Sequence, residues 1–371
     1  MAGIYIHIPF CKSRCLYCDF YATTQQRLIE PFVAALEREI ELRAKPPFTA
    51  DTIQTVYWGG GTPSRLTPSQ LERIVSALRA YFAIAPDAEW TIEANPDDLT
   101  PSYCQALRQL GFNRLSIGIQ SFQDRELRII NRRHNASEAE CAVKVVRESG
   151  FDNISIDLIF ALPEQTVSTW QETIERTVAL HPGHISAYSL TYEEGTPLTR
   201  LWQKGKIAKQ PETFEIEAYR YLSSVLRDMG YEHYEVSNYA LPGFRSRHNS
   251  SYWHRVPYLG LGPSAHSYVP ECRSANVADV AAYICSLEAG NLPIDFTEML
   301  SPQEVYEESV MLGLRTMQGV NLEALSEPDR TTLLQRAAPY LANGALLHTA
   351  NHLKASADGL LLIDGIIATL F

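Results

Sequence analysis

Apolar and polar positions alternate along this chain with two different periods. Short runs rich in β-branched and aromatic residues at 3–8, 55–58, 90–94, 114–120, 153–160 and 184–191 predict strands. Between them, 29–42, 69–82, 101–110, 137–148 and 168–180 place apolar residues three and four apart, as Phe32, Val33, Leu36 and Ile40 do, and 212–229 follows the sixth run in the same way. That spacing is a helix burying one face. Six strand–helix units in series predict a parallel sheet, because parallel strands need crossover connections. The expected fold class is therefore α/β, a partial (β/α)6 barrel left open because six strands are too few to close the eight-stranded form. Gly111-Phe112, Gly150-Phe151 and Gly230-Tyr231 each end a helical pattern. Glycine suits the left-handed turn past a helix, and the aromatic ring can anchor it.

Beyond about residue 235 the pattern changes. Residues 236–294 read as a connecting segment, with an ordered loop over 239–268 rich in Tyr, Ser, His, Pro and Gly. Ser301 and Glu304 have the spacing of a capping box at the head of a helix over 302–317. Residues 295–371 read as a small, mostly helical second domain, winged-helix-like, with one or two short strands. In an open barrel, functional groups are expected on the loops and side chains at the C-terminal ends of the strands.

Composition narrows the chemistry. The 371 residues are 45% hydrophobic and 20% charged, which excludes a disordered chain, a collagen and a disulfide miniprotein. Lys and Arg number 32 against 43 Asp and Glu, a net charge of −11 that argues against nucleic acid as a partner. No apolar run is long enough for a membrane span, and the start lacks the pattern of a signal peptide. The expected compartment is the cytoplasm, where thiols stay reduced. Seven cysteines, three of them within eight positions, then point to a metal site.

Those three are Cys11, Cys15 and Cys18, spaced C-x-x-x-C-x-x-C. Three thiolates on one loop can hold three irons of a [4Fe–4S] cube and leave the fourth open. A structural zinc would require a fourth ligand, and His7 lies within a strand run. Cys104 and Cys141 fall in helical patterns and read as core packing. Other candidates stand where strands end. Trp58-Gly59-Gly60-Gly61-Thr62-Pro63 can let a ligand approach the backbone closely, and Glu93 and Gln120 are rim residues. By strand alternation, Asp157 shares a face with Ser155 and Ile159; turned inward, it needs a ligand or a partner.

The run Tyr5-Ile-His-Ile-Pro-Phe-Cys11, with Cys15 and Cys18, resembles the radical S-adenosylmethionine superfamily. More closely it resembles the branch containing oxygen-independent coproporphyrinogen III dehydrogenase and related haem chaperones, over nearly the whole chain. The resemblance implies a [4Fe–4S] cluster on Cys11, Cys15 and Cys18. It also implies S-adenosylmethionine contacts at Tyr5, Tyr17, Gly60, Gly61, Thr62, Glu93, Gln120, Arg132 and Asp157. Arg132 suits the cofactor carboxylate and Asp157 the ribose hydroxyls. Ala161 and Glu164 depart from the pattern, standing where the family commonly has glycine.

Within the branch, Phe20 replaces a further cysteine of the dehydrogenase, and the first strand opens at residue 3 without that enzyme's N-terminal extension. His248-Asn249-Ser-Ser-Tyr252-Trp253 matches the chaperone motif H-N-x-x-Y-W. His248 and Tyr252 are thereby candidate haem ligands, with Asn249 orienting the imidazole. The expected function is a haem chaperone that binds haem and delivers it to a client haem protein, a membrane-bound respiratory enzyme among the candidates. The alternatives are the oxidative decarboxylation of coproporphyrinogen III and a radical methylase; a nucleic-acid acceptor for the latter fits poorly with the acidic balance.

Overall fold

The computed structural model describes residues 2–371. The core is built from β1 (Ala2–Ile8), α1 (Ile29–Arg43), β2 (Ile53–Gly60), α2 (Pro68–Tyr81), β3 (Ile84–Ala94), α3 (Pro101–Leu110), β4 (Arg114–Gln120), α4 (Asp124–Ile129), α5 (Ala136–Glu148), β5 (Asn153–Phe160), α6 (Val167–Ala179) and β6 (His184–Ser189). α7 (Pro197–Gln203) and α8 (Glu212–Asp228) follow. Strands β1 to β6 are parallel neighbours in sequence order.

Strand alternation divides this barrel into two environments. Ile4, Ile6, Val56, Trp58, Ile92, Ile117, Ile154 and Ile156 face the helices and are buried in one core with Phe32, Leu36, Leu71, Ile74, Leu107 and Val143. Each such side chain contributes about 1.5–3 kcal/mol by leaving water. The opposite face carries Tyr5, His7, Tyr57, Glu93, Ser116 and Asp157, so the interior is a polar cavity. Local signals agree with the pattern. Thr67 with Gln70 and Asn135 with Glu138 form capping boxes. Gly111 (φ 102°), Gly150 (φ 88°) and Gly230 (φ 85°) are left-handed. The N–H groups of Phe112, Phe151 and Tyr231 then bond back to Leu107, Val146 and Leu226.

The expected connecting segment is corrected. It holds β8 (Asn238–Ala240), α9 (Arg247–Trp253), β9 (Tyr258–Leu261), β10 (His266–Val269), β11 (Cys272–Asn276), α10 (Val280–Glu288) and the start of β12 (Ile294–Met299), and β7 (Glu232–Glu235) precedes it. The strands widen the sheet to twelve in the order β12-β11-β10-β9-β1-β2-β3-β4-β5-β6-β8-β7. β9 runs parallel to β1, and β8 runs antiparallel to β6. Strands this short take their pairing from the barrel edges they cover and not from a pattern of their own.

Because β12 belongs to the large sheet, the C-terminal unit starts at α11 (Pro302–Leu314) and not at 295. The capping box of Ser301 and Glu304 forms at its head. α12 (Glu327–Ala342), α13 (Ala357–Leu361) and α14 (Ile363–Ile367) surround a three-stranded antiparallel sheet of β13 (Val320–Asn321), β14 (Leu346–Thr349) and β15 (His352–Ala355). Its own core includes Val310, Leu314, Leu333, Leu353 and Ile366. Cys104 is buried as expected, but Cys141 is exposed on α5.

Candidate metal and cofactor site in the barrel

The parallel register stacks the inward residues in layers. Gly3, Thr55 and Glu89 are level at the floor. Tyr5, Tyr57, Thr91 and Arg114 form the next layer. Glu93, Ser116, Ser155 and His184 lie above them, and Gly118, Asp157 and Ser186 above those. The loop carrying the cysteines follows β1 and closes over the top. The result is a cavity of about 550 Å³. Cys11, Cys15, Cys18, Tyr17, Gly60, Gly61, Thr62, Glu93, Gln120, Arg132 and Asp157 all line it. Of the residues expected to contact the cofactor, Tyr5 alone is not in the lining. Its ring stacks on Tyr57, 6.2 Å between centroids, and its hydroxyl lies 3.2 Å from His7 Nδ1.

The glycine loop is fixed by close approach. A Cβ on Gly61 would stand 2.9 Å from the Pro9 carbonyl carbon, under the cysteine loop. Gly60 is left-handed (φ 107°), and a Cβ there would meet the His7 ring at 2.7 Å. Thr62 Oγ1 donates to Cys11 Sγ at 3.5 Å. Burial pushes the Cys11 thiol up and the Cys18 thiol to about 11. A metal reverses that preference by holding thiolates. Among the described residues no three His, Cys, Asp or Glu side chains could hold a single ion. A cube does not ask for that, since each thiolate binds a different iron.

Arg132 is the hinge of the upper cavity. Its Nη1 lies 3.3 Å from Cys15 Sγ, and its Nη2 donates to Asn95 Oδ1 at 2.5 Å and to the Gly118 carbonyl. Its Nε is buried without a partner. Burial raises the Glu93 carboxyl to about 7, against the opposing hydrogen bond from Tyr57 Oη at 2.8 Å. Burial also raises Asp157, against donation from Ser116 Oγ at 3.0 Å and Ser155 Oγ at 3.2 Å. Gln120 reaches the cavity from a left-handed backbone position (φ 70°). Arg114 and Tyr57, both on strands, and Asn95, just past the end of β3, also line the cavity and carry no sequence signal beyond those places. Arg114 is buried with Nε and Nη1 unpaired.

The expected haem ligands are placed differently. His248, on α9, is 1% exposed. Its Nδ1 lies 2.7 Å from Thr55 Oγ1 and its Nε2 2.8 Å from Tyr252 Oη. Its ring stacks on Tyr57 at 5.1 Å. Glu89 accepts the backbone N–H groups of Arg247 and His248, each at 3.0 Å. Neither ring nitrogen is free for iron, and the Tyr252 hydroxyl is spent on His248. These residues plug the floor, and from the motif only Asn249 reaches the cavity. The two departures from the family pattern explain themselves: Ala161 (φ 60°) and Glu164 (φ 63°) both occupy left-handed positions, where glycine is favoured. Neither lines the cavity, and Glu164 pairs with Arg125 at 2.5 Å.

Residues 5–177 match the Radical SAM superfamily and residues 300–362 the HemN C-terminal domain. The chain is similar to the heme chaperone HemW of Mycobacterium tuberculosis, 35% identical over 99% of this chain and 94% of that protein. It is also similar to the heme chaperone HemW of Synechocystis sp., 39% identical over 88% of this chain and 81% of that protein. The solved structure of coproporphyrinogen III oxidase (HemN) from Escherichia coli superposes with a TM-score of 0.86 at 25% identity, covering 100% of this chain and 89% of that one. The chain belongs to the HemW heme-chaperone family of the radical SAM superfamily.

Proposed function

We propose that the protein is a haem chaperone that holds a [4Fe–4S] cluster on Cys11, Cys15 and Cys18, binds S-adenosylmethionine beside it, and takes up haem for a client haem protein. The observation that carries the reading is the end-to-end match with relatives named heme chaperones. The cavity is chemically apt for the two cofactors: three thiols sit at its mouth, and a buried guanidinium retains an unpaired N–H. Arg132 would take the methionine carboxylate through Nε, its other nitrogens being held by Cys15 and Asn95. Gly60, Gly61, Thr62 and Glu93 would receive the ammonium group. Asp157, with acceptor capacity left over from its serine partners, would accept from the ribose. When bound, the cluster and sulfonium nucleoside supply one-electron chemistry.

Phe20, where the dehydrogenase has a further cysteine, favours haem handling over porphyrin oxidation. No helix of the described residues is long and apolar enough to cross a membrane. The cytoplasm is the proposed compartment, and a membrane-bound respiratory haem protein is a proposed client. The test is anaerobic reconstitution with iron and sulfide assays, then haem titration and transfer to an apo-haem protein. A Soret band that moves to the client supports the reading, and a wild-type protein that takes up no haem ends it. Conversion of coproporphyrinogen III to protoporphyrinogen would replace it with the dehydrogenase.

A further inference from the structure

With His248 and Tyr252 closed off in the floor, a haem needs another surface. The segment 190–210, leading from β6 through α7, has features that the cavity does not use. Leu190 and Leu198 pack in a small apolar cluster with Ile130, Ile159 and Leu162, and Leu16, Tyr17, Tyr192 and Ile207 pack against it. The Leu198 N–H donates to the Leu16 carbonyl at 2.9 Å. This lobe is thus fastened to the cysteine loop, and Leu190, Thr191 and Glu193 line the cavity mouth. Phe20, 68% exposed, lines the same mouth.

On the lobe, Tyr192 and Trp202 form an aromatic pair with centroids 5.5 Å apart, and Trp202 is 42% exposed. Lys209 Nζ stands 5.7 Å from the centre of the Tyr192 ring. The Tyr192 hydroxyl is buried and without a partner. Arg200, Lys204, Lys206 and Lys209 are all exposed. None of them forms an ion pair among the described residues, whereas Arg176 and Arg220 on the flanking helices α6 and α8 each pair with a carboxylate. Glu193 and Glu194 are the only carboxylates between 190 and 210, so the segment itself is basic on a chain whose net charge is −11, although Glu215 of α8 also faces Tyr192.

An exposed indole with a half-buried phenol behind it, beside cations without ion pairs, fits a flat apolar ligand bearing carboxylates. Among the ligands of the proposed function, haem has that chemistry. We infer that this lobe is the haem-docking surface, with the porphyrin plane against Trp202, the tilted Tyr192 ring at its edge, and the propionates on Lys204, Lys206 and Lys209. The inference rests on the haem-chaperone reading and deepens it. The aromatic faces supply apolar contact area, and the ammonium groups supply salt-sensitive pairing with the carboxylates. Haem would then sit at the mouth of the barrel, beside the cysteine loop.

The test titrates the full-length protein with ferric haem and with haem dimethyl ester, whose propionates carry no charge. Haem should quench the fluorescence of Trp202, one of five tryptophans. Trp202→Phe should reduce that quench while leaving the Soret titration nearly unchanged. The triple variant Lys204→Glu, Lys206→Glu, Lys209→Glu should bind haem about tenfold more weakly at low salt, the gap narrowing as salt rises. The ester should bind wild type and triple variant alike. All four positions are exposed, so folding and cluster content should be unaffected. A triple variant that binds haem as wild type does overturns the docking site, even if it loses reduction by an acidic electron-donor protein. A wild type without a Soret band overturns the chaperone reading itself.

Discussion

In the cavity, Arg132 beside the cysteine loop keeps Nε buried and unpaired, and Arg114, one layer above the floor, keeps both Nε and Nη1 so. At the floor, His248 spends both ring nitrogens on Thr55 and Tyr252, and Glu89 spends its carboxylate on two backbone N–H groups. A buried polar atom left without a partner costs about 1–3 kcal/mol. In the cavity a ligand can offset that cost, whereas around His248 the fold supplies the partners itself. Both regions combine buried polar groups with aromatic rings, so residue type alone cannot separate them. The state of the hydrogen bonds can: the upper cavity is built for an occupant, and the floor is already occupied by its own helix.

The contrast breaks most sharply by mutation. Cys15→Ala should abolish cluster assembly, read as loss of bound iron and sulfide, while the apoprotein unfolds within about 1 kcal/mol of wild type because that thiol is only partly buried. His248→Ala should do the reverse. It should lower stability by about 3 kcal/mol in denaturant unfolding, through a cavity beneath Tyr57 and two stranded hydroxyls, and leave the three thiols able to assemble a cluster. A stable His248→Ala protein with impaired haem uptake would return the imidazole to the ligand set and dissolve the distinction.

The two ends also titrate in opposite senses. Burial, aided by Arg114, holds the His248 imidazole down at about 3. Its contribution to stability is present above pH 6.5 and is lost as pH falls from there toward 3. Burial raises Glu93 to about 7. Its neutral form is compatible with the fold, so stability is fully present below pH 4.5 and declines as pH rises toward 7. Glu93→Gln should therefore leave the apoprotein unchanged at pH 4.5 and more stable than wild type at pH 8. Urea titrations across that range would show it, and a gain confined to acid pH would contradict the assignment.

What the sequence made legible follows from how far apart the cooperating residues lie. Cys11, Cys15 and Cys18 are seven positions from end to end, and the two-residue alternation along β5 suffices to turn Asp157 inward. The roles of His248 and Arg114 were hidden. The partners of His248, Gly3, Thr55 and Glu89, come from three strands more than 150 residues away, and only the parallel register makes them level. Arg114 opens its strand, and nothing local shows that its guanidinium ends in the cavity with Nε and Nη1 unpaired. The short strands within 236–294 escape the pattern for a related reason. Strands of three to six residues carry too few positions for a period, and their places at the edges of the barrel are a property of the sheet.

The smallest effect tests the loop after β5, which belongs to neither end. Ala161 and Glu164 adopt φ values of 60° and 63°, a region that costs a residue with a Cβ about 1 kcal/mol relative to glycine. Ala161 is buried, so Ala161→Gly removes strain and forfeits little more than one methyl contact. Glu164→Gly also gives up the ion pair with Arg125, which is worth little because both side chains are exposed. Each variant should gain up to about 1 kcal/mol, a rise of roughly 2 °C in Tm by calorimetry. Cofactor affinity should stay unchanged, since neither residue lines the cavity. If either glycine instead altered S-adenosylmethionine binding, the loop would belong with the upper cavity, and the division between occupied floor and waiting site would have to be redrawn to include it.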